Sequence, residues 1–172
     1  MSAKIDFSVV RFLLVDPHPL MLDMLRDVLM VLGAQSILRA TSLKQAQRML
    51  RTEQIDVLIT ERRLEPGCGL DLVEFVRRDP GCVNHTMPIV MLTAESDDVG
   101  VMEARDGGVS EFLAKPFSVE GLYYRLVSAI ARPRAFISSE GYFGPDRRRR
   151  QLPYDGSDRR IDEPEHVMAV GM

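Results

Sequence analysis

Five short apolar runs, each followed by a segment with helical spacing, constrain this 172-residue chain more than any other feature. The first is Val9-Val10-Arg11-Phe12-Leu13-Leu14-Val15, closed by Asp16-Pro17-His18-Pro19. A run that is apolar at successive positions and rich in β-branched residues buries both faces, as a central parallel strand does. Met21, Leu25, Val28, Leu29 and Leu32 then recur on one helical face until Gly33, a good C-terminal stop. Ser36–Thr41 reads as a weaker strand, and Ser42 as the N-cap of a helix carrying Leu43, Ala46, Met49 and Leu50. Asp56–Glu61 is the third strand, and Leu72, Phe75 and Val76 mark a helix that stops at Asp79-Pro80-Gly81. Pro88–Thr93 is the fourth strand, and Asp97–Arg105 a short helix before Gly107-Gly108. Glu111–Lys115 is the fifth strand, and Ser118 caps a helix with Val119, Leu122, Tyr123, Leu126 and Ile130 in phase, ending near Arg132-Pro133. Strands and helices that alternate strictly imply parallel strands with right-handed crossovers, hence an α/β fold, a doubly wound five-stranded sheet between helices.

Composition narrows the class. Hydrophobic residues make up 45% and charged residues 27%, which fits a globular protein rather than a disordered one. No apolar stretch reaches the ~18–20 residues of a membrane span. The first residues, Met1-Ser2-Ala3-Lys4-Ile5-Asp6, lack the apolar core of a signal peptide, so a cytoplasmic protein is expected, with no membrane partner. Cys68 and Cys82 have neither metal-site spacing nor a nearby histidine and are expected as free, inert thiols. The net charge of −3 gives no overall pull toward nucleic acid.

In doubly wound sheets the functional crevice lies at the carboxyl ends of the strands. Strand 1 ends at Asp16, strand 3 at Glu61, strand 4 at Thr93 and strand 5 at Lys115. An acid at one strand tip is often only a turn former, and one lysine is usually solvated. Two carboxylates, a hydroxyl and an ammonium gathered on one edge point to a shared site.

The segments "FLLVDPHPLM", "DVLITERRLEPGCGLDLV", "PIVMLTAES" and "EFLAKPFSVEGL" resemble the receiver (CheY-like) domain of bacterial two-component response regulators. The spacings agree: 45 residues from Asp16 to Glu61, 32 to Thr93 and 22 to Lys115, with Lys115-Pro116-Phe117 the most specific piece. The resemblance covers about residues 9–132, leaving an N-terminal extension, 1–8, and a C-terminal tail, 133–172. It implies the flavodoxin-like fold derived above and a signalling protein rather than an enzyme. It further implies an acidic pair after strand 1 that binds Mg²⁺, and an aspartate ending strand 3 that takes a phosphoryl group from a histidine kinase. A Ser/Thr and a Lys, here Thr93 and Lys115, contact the phosphoryl oxygens. An aromatic switch residue, here Phe112, turns inward on activation, although Phe112 also reads as core filler. Mg²⁺ and lysine suit this chemistry because they neutralise charge on the transferring group.

Two positions depart from the pattern. Pro17 stands where the second acid of the Mg²⁺ pair belongs, and Glu61 where the acceptor aspartate belongs. Mg²⁺ demands near-octahedral oxygens at about 2.1 Å, so losing a carboxylate weakens the site. The extra methylene of Glu61 displaces the nucleophilic oxygen by over ~1 Å, a misplacement that can cost ~100-fold in rate. Cofactors are therefore expected to be none, or a weakly held Mg²⁺ on Asp16. His18 could extend a metal site formed with Asp16 and Glu61, but Asp-x-His-Pro loops also occur in ordinary receivers. The expected protein is a stand-alone pseudo-receiver in which Glu61 either imitates the phosphorylated state beside Lys115 or only satisfies it in a non-switching scaffold. It would signal through the face built by helix 4, strand 5 and helix 5, which also offers a homodimer surface. Its partners would be a histidine kinase, a phosphotransferase or a downstream effector. A conventional phosphoryl acceptor in a phosphorelay is the alternative.

The tail repeats a pattern, Tyr-x-Gly-x-Asp-Arg-Arg, at Tyr142, Asp146, Arg147 and Arg148 and, 12 residues on, at Tyr154, Asp158, Arg159 and Arg160. Its low apolar content argues for a disordered segment or an extended protein-docking arm. A regulator that binds nucleic acid through these arginines is a further alternative. However, the tail's seven arginines face seven acids, and a phosphate-binding arm needs an excess of positive charge.

Overall fold

A computed structural model describes residues 5–94, 98–139 and 141–147, with the side chains of 98 and 99 left aside. Its strands are β1 (Arg11–Val15), β2 (Ser36–Ala40), β3 (Val57–Glu61), β4 (Ile89–Thr93) and β5 (Glu111–Ala114). They pair in parallel in the order β2-β1-β3-β4-β5. The intervening helices are α1 (Pro19–Val31), α2 (Leu43–Thr52), α3 (Gly69–Arg78), α4 (Asp98–Gly107) and α5 (Val119–Ala131). The caps expected at Ser42 and Ser118 form, each accepting from the backbone N–H three residues on.

Alternation along the strands splits the core into two layers. Phe12 and Leu14 of β1, Val57 and Ile59 of β3, and Val90 and Leu92 of β4 pack with α1 and α5 through Leu22, Leu25, Leu29, Leu122 and Leu126. Leu13, Val15, Leu58, Ile89 and Met91 pack with α2, α3 and α4 through Ala46, Leu50, Leu72, Val76 and Ala104. Both faces are covered, which is why the strands read as continuous apolar runs.

Two boundaries differ from the sequence reading. The chain does not enter the sheet at Val9. Phe7–Val9 forms a turn of 3₁₀ helix, capped by Asp6 accepting from the Ser8 N–H. Phe7 is buried and packs against Phe12 and the edge of Tyr123, so the core reaches into the stretch set apart as an extension. At the other end, the tail begins with an antiparallel hairpin, β6 (Phe136–Ser139) and β7 (Tyr142–Pro145). A tail of low apolar content pairs here with the help of long-range arginine contacts and of Phe136, which packs on Phe143. Arg148, Tyr154, Asp158, Arg159 and Arg160 lie outside the described residues. No helix among the described residues is long and apolar enough to cross a membrane.

Candidate functional site

Strand order reverses between β1 and β3, and parallel chains place all strand ends on one edge, so a crevice opens at the tips of β1 and β3. Asp16 follows β1, Glu61 ends β3, Thr93 ends β4, and Lys115 follows β5. Asp16 and Thr93 are each 1% exposed and Glu61 is 8% exposed, so these polar groups sit inside the fold and must find partners there.

Lys115 supplies them for the two acids. Its Nζ donates to Asp16 Oδ2 at 2.7 Å and to Glu61 Oε2 at 2.6 Å. Burial alone would pull the Lys115 ammonium down. The hydrogen bonds and charges of Asp16 and Glu61 outweigh it and hold the group above its ordinary value. The remaining oxygens are also engaged. Asp16 Oδ1 accepts from the His18 backbone N–H at 2.8 Å and lies 3.1 Å from His18 Nδ1. Glu61 Oε1 accepts from the backbone N–H groups of Arg62 and Arg63 at 2.6 and 3.2 Å. The glutamate therefore curls back onto its own loop with one oxygen and reaches Lys115 with the other.

The loop after Glu61 is packed tightly. The Gly69 N–H donates to the Arg62 carbonyl at 2.6 Å, and a Cβ on Gly69 would sit 2.2 Å from the Glu61 carbonyl oxygen. Only glycine allows α3 to begin so close to the end of β3. Cys68, expected as an inert loop thiol, has a structural task. Its Sγ caps α3 while its N–H donates to Asp71 Oδ2 at 2.8 Å, and both cysteines are free thiols.

The structure thus brings Asp16, Glu61 and Lys115 into one cluster. Thr93 joins it through the backbone, its carbonyl accepting from the Lys115 N–H at 2.8 Å. Phe112 stands apart, half-buried against the α2–α4 side of the core. Tyr142, Asp146 and Arg147 lie at the opposite end of the sheet, against their own domain. A divalent cation at the strand tips would draw on Asp16 and Glu61, whose four oxygens already have partners, and Pro17 offers no side-chain oxygen. Among the described residues no three His, Cys, Asp or Glu side chains converge in a metal cluster.

Two contacts escape sequence reasoning. Arg62 Nη2 reaches Glu103 Oε2 on α4 at 2.6 Å, tying the Glu61 loop to that helix. Arg77 is buried, with Nη1 donating to the His85 and Met87 carbonyls and Nε and Nη2 to the Gly108 carbonyl. Burial pulls its guanidinium down to about 9, offset slightly by Tyr142 and Cys82, so it stays charged at neutral pH. A signal for it existed, since Arg77 falls four residues after buried Val73, on the core face of α3.

Residues 12–127 match the family described as the response regulator receiver domain. The chain belongs to that family. It is 28% identical over 123 residues to the chemotaxis protein CheY of Pseudomonas aeruginosa, covering 72% of this chain and 98% of that one. A CheY homolog of Campylobacter jejuni is 31% identical over 68% of this chain and 89% of its own length. Among solved structures, a response regulator of Chloroflexus aurantiacus superposes with a TM-score of 0.65 at 32% identity, covering 72% of this chain and 99% of that one. The chemotaxis response regulator CheY4 of Vibrio cholerae gives 0.62 at 26% identity, covering 68% and 95%. Receiver domains are signalling modules of two-component systems rather than enzymes. A place in such a system, alongside its kinases and phosphotransfer proteins, is consistent with that membership.

Proposed function

We propose that this receiver signals without forming an acyl phosphate, acting by protein–protein interaction from a state that Glu61 and Lys115 hold. The observation that carries the proposal is Lys115 Nζ lying between Glu61 Oε2 and Asp16 Oδ2. In the family pattern the lysine meets a phosphoryl oxygen; here a carboxylate oxygen of the chain itself takes that contact. Glu61 stands in the acceptor position, Thr93 and Phe112 in the switch positions, and Asp16 in a vestigial Mg²⁺ site. The imitation is partial, since a carboxylate brings one negative charge where a phosphoryl group brings nearly two. Mg²⁺ binds weakly at best, because it competes with an ammonium already seated between the two acids.

The acting surface is the face of α4, β5 and α5. Met102, Val119 and Tyr124 are exposed there, which suits an effector or a second copy of the chain. The charge balance of the tail argues for protein rather than nucleic acid as partner. The test is incubation with a small-molecule phosphodonor and Mg²⁺, read by intact mass. No adduct is expected on the wild type. A stable adduct would return the protein to the conventional phosphoryl acceptors.

A further inference from the structure

The joint between α4 and β5, residues 106–110, presents four backbone carbonyls to side chains packed around it. Arginine side chains take all four. The Asp106 carbonyl accepts from Arg147 Nη2 at 3.4 Å, and the Gly108 carbonyl from Arg77 Nε and Nη2 at 3.2 and 3.0 Å. The Val109 and Ser110 carbonyls both accept from Arg134 Nη2. Two of these three arginines come from the segment that follows α5.

That segment is itself anchored. Arg134 Nη1 donates to the Asp146 carbonyl at 3.0 Å, closing the base of the hairpin. Phe136 lies beneath the Arg77 guanidinium, 5.1 Å from ring centre to Cζ, and packs on Phe143. Arg78 of α3 donates to the Gly141 carbonyl at the hairpin turn. Arg147 stacks on Tyr142 at 3.9 Å and pairs with Asp106. Gly144 is buried against Gly108: a Cβ there would come within 3.1 Å of the Gly108 Cα and 2.7 Å of the Tyr142 hydroxyl. These contacts converge on one place, the foot of α4 and the start of β5.

We propose that residues 133–139 and 141–147 are a strap that fixes the α4–β5 joint and so sets where α4 lies on the sheet. Gly108 and Val109 are buried, and a buried carbonyl without a partner is costly, so the C-terminal end of α4 is fixed while Arg77 and the strap's Arg134 hold these oxygens. Glu103, one turn earlier on α4, is held by Arg62 from the Glu61 loop. The helix is thus pinned from both edges of the sheet, and movement of the α4–β5–α5 face requires the strap to lift. The first Tyr-x-Gly-x-Asp-Arg copy works inside the domain in this arrangement rather than as a free arm. The strap acts whether or not Glu61 accepts a phosphoryl group, because its contacts involve neither Glu61 nor Lys115.

Hydrogen exchange of the full-length protein, read by mass spectrometry, tests this with Arg134→Gln and Gly144→Ala. The joint amides are protected by bonds such as Val109 N–H to the Ala104 carbonyl and Ser110 N–H to the Ile89 carbonyl. In either variant, amides of 106–111, 136–139 and 142–144 should exchange about tenfold faster or more, while those of β1 and β3 stay unchanged. Should a variant not fold, the wild type in rising urea gives the same reading, with strap and joint opening as one unit before the sheet. The strap is refuted if its amides open while the joint stays protected. It is equally refuted if exchange accelerates evenly through the whole sheet.

Discussion

Lys115 Nζ lies 2.6 Å from Glu61 Oε2, joining strand ends 54 residues apart in sequence, and the other Glu61 oxygen rests on backbone N–H groups. The carboxylate in the acceptor position is therefore engaged on both sides. It is an acid already bound by the lysine that the family pattern reserves for a phosphoryl group.

Removing that lysine should be costly. Lys115→Met leaves Asp16 and Glu61 facing each other with no cation between them. Stripping one partner from a buried ion pair typically costs roughly 3–5 kcal/mol. Urea unfolding at neutral pH should show a loss of that order, larger than for lysines at the surface.

The pH dependence of that loss has a definite sign. The folded Lys115 holds its proton above its ordinary value of 10.5, so between that value and the folded one the folded state binds more protons than the unfolded state. The contribution is complete below pH 10.5 and fades as pH rises through the folded value. Paired unfolding curves of wild type and Lys115→Met should keep a constant gap from neutral pH up to about 10.5 and converge between there and the folded value.

Restoring an acid beside Asp16 should change metal binding. Pro17→Asp adds a carboxylate at the tip of β1 that Lys115 does not hold. Calorimetric titration with Mg²⁺ should give tighter binding than in the wild type, by roughly tenfold or more, the scale on which metal sites respond to changes around their ligands.

The close approach behind Glu61 makes Gly69 sensitive. An alanine Cβ 2.2 Å from the Glu61 carbonyl oxygen forces α3 away from β3. Overpacking of this kind costs about 1–3 kcal/mol. Thermal unfolding of Gly69→Ala should fall accordingly, whereas alanine at the exposed Gly141, where nothing lies within 4 Å, meets only its positive φ.

The sheet and its strand-tip site were legible because both follow from local pattern. Apolar runs such as Leu58-Ile59 announce buried strands, and parallel topology then dictates that Asp16, Glu61, Thr93 and Lys115 share an edge. What was not legible depends on side chains meeting across long separations. Lys115 and Asp16 are 99 residues apart, and nothing in either local sequence says that one ammonium will bridge two acids. The hairpin escaped because Phe136–Ser139 and Tyr142–Pro145 are only four residues each and are held by Arg78 and Arg134 through carbonyls and by Arg77 over the Phe136 ring rather than by apolar periodicity. Phe7 escaped because a single aromatic before a strand carries no period, yet the turn that Asp6 caps turns it into the core.

The most direct test of the central claim is a pair of amide NMR spectra compared with that of the wild type. Glu61→Gln removes the charge that Lys115 meets while keeping the shape, so amides of α4 and β5 should shift. A small-molecule phosphodonor with Mg²⁺, added to the wild type, should leave those amides where they are. If the phosphodonor moves them, or if Glu61→Gln does not, Glu61 is not what sets the state of this receiver.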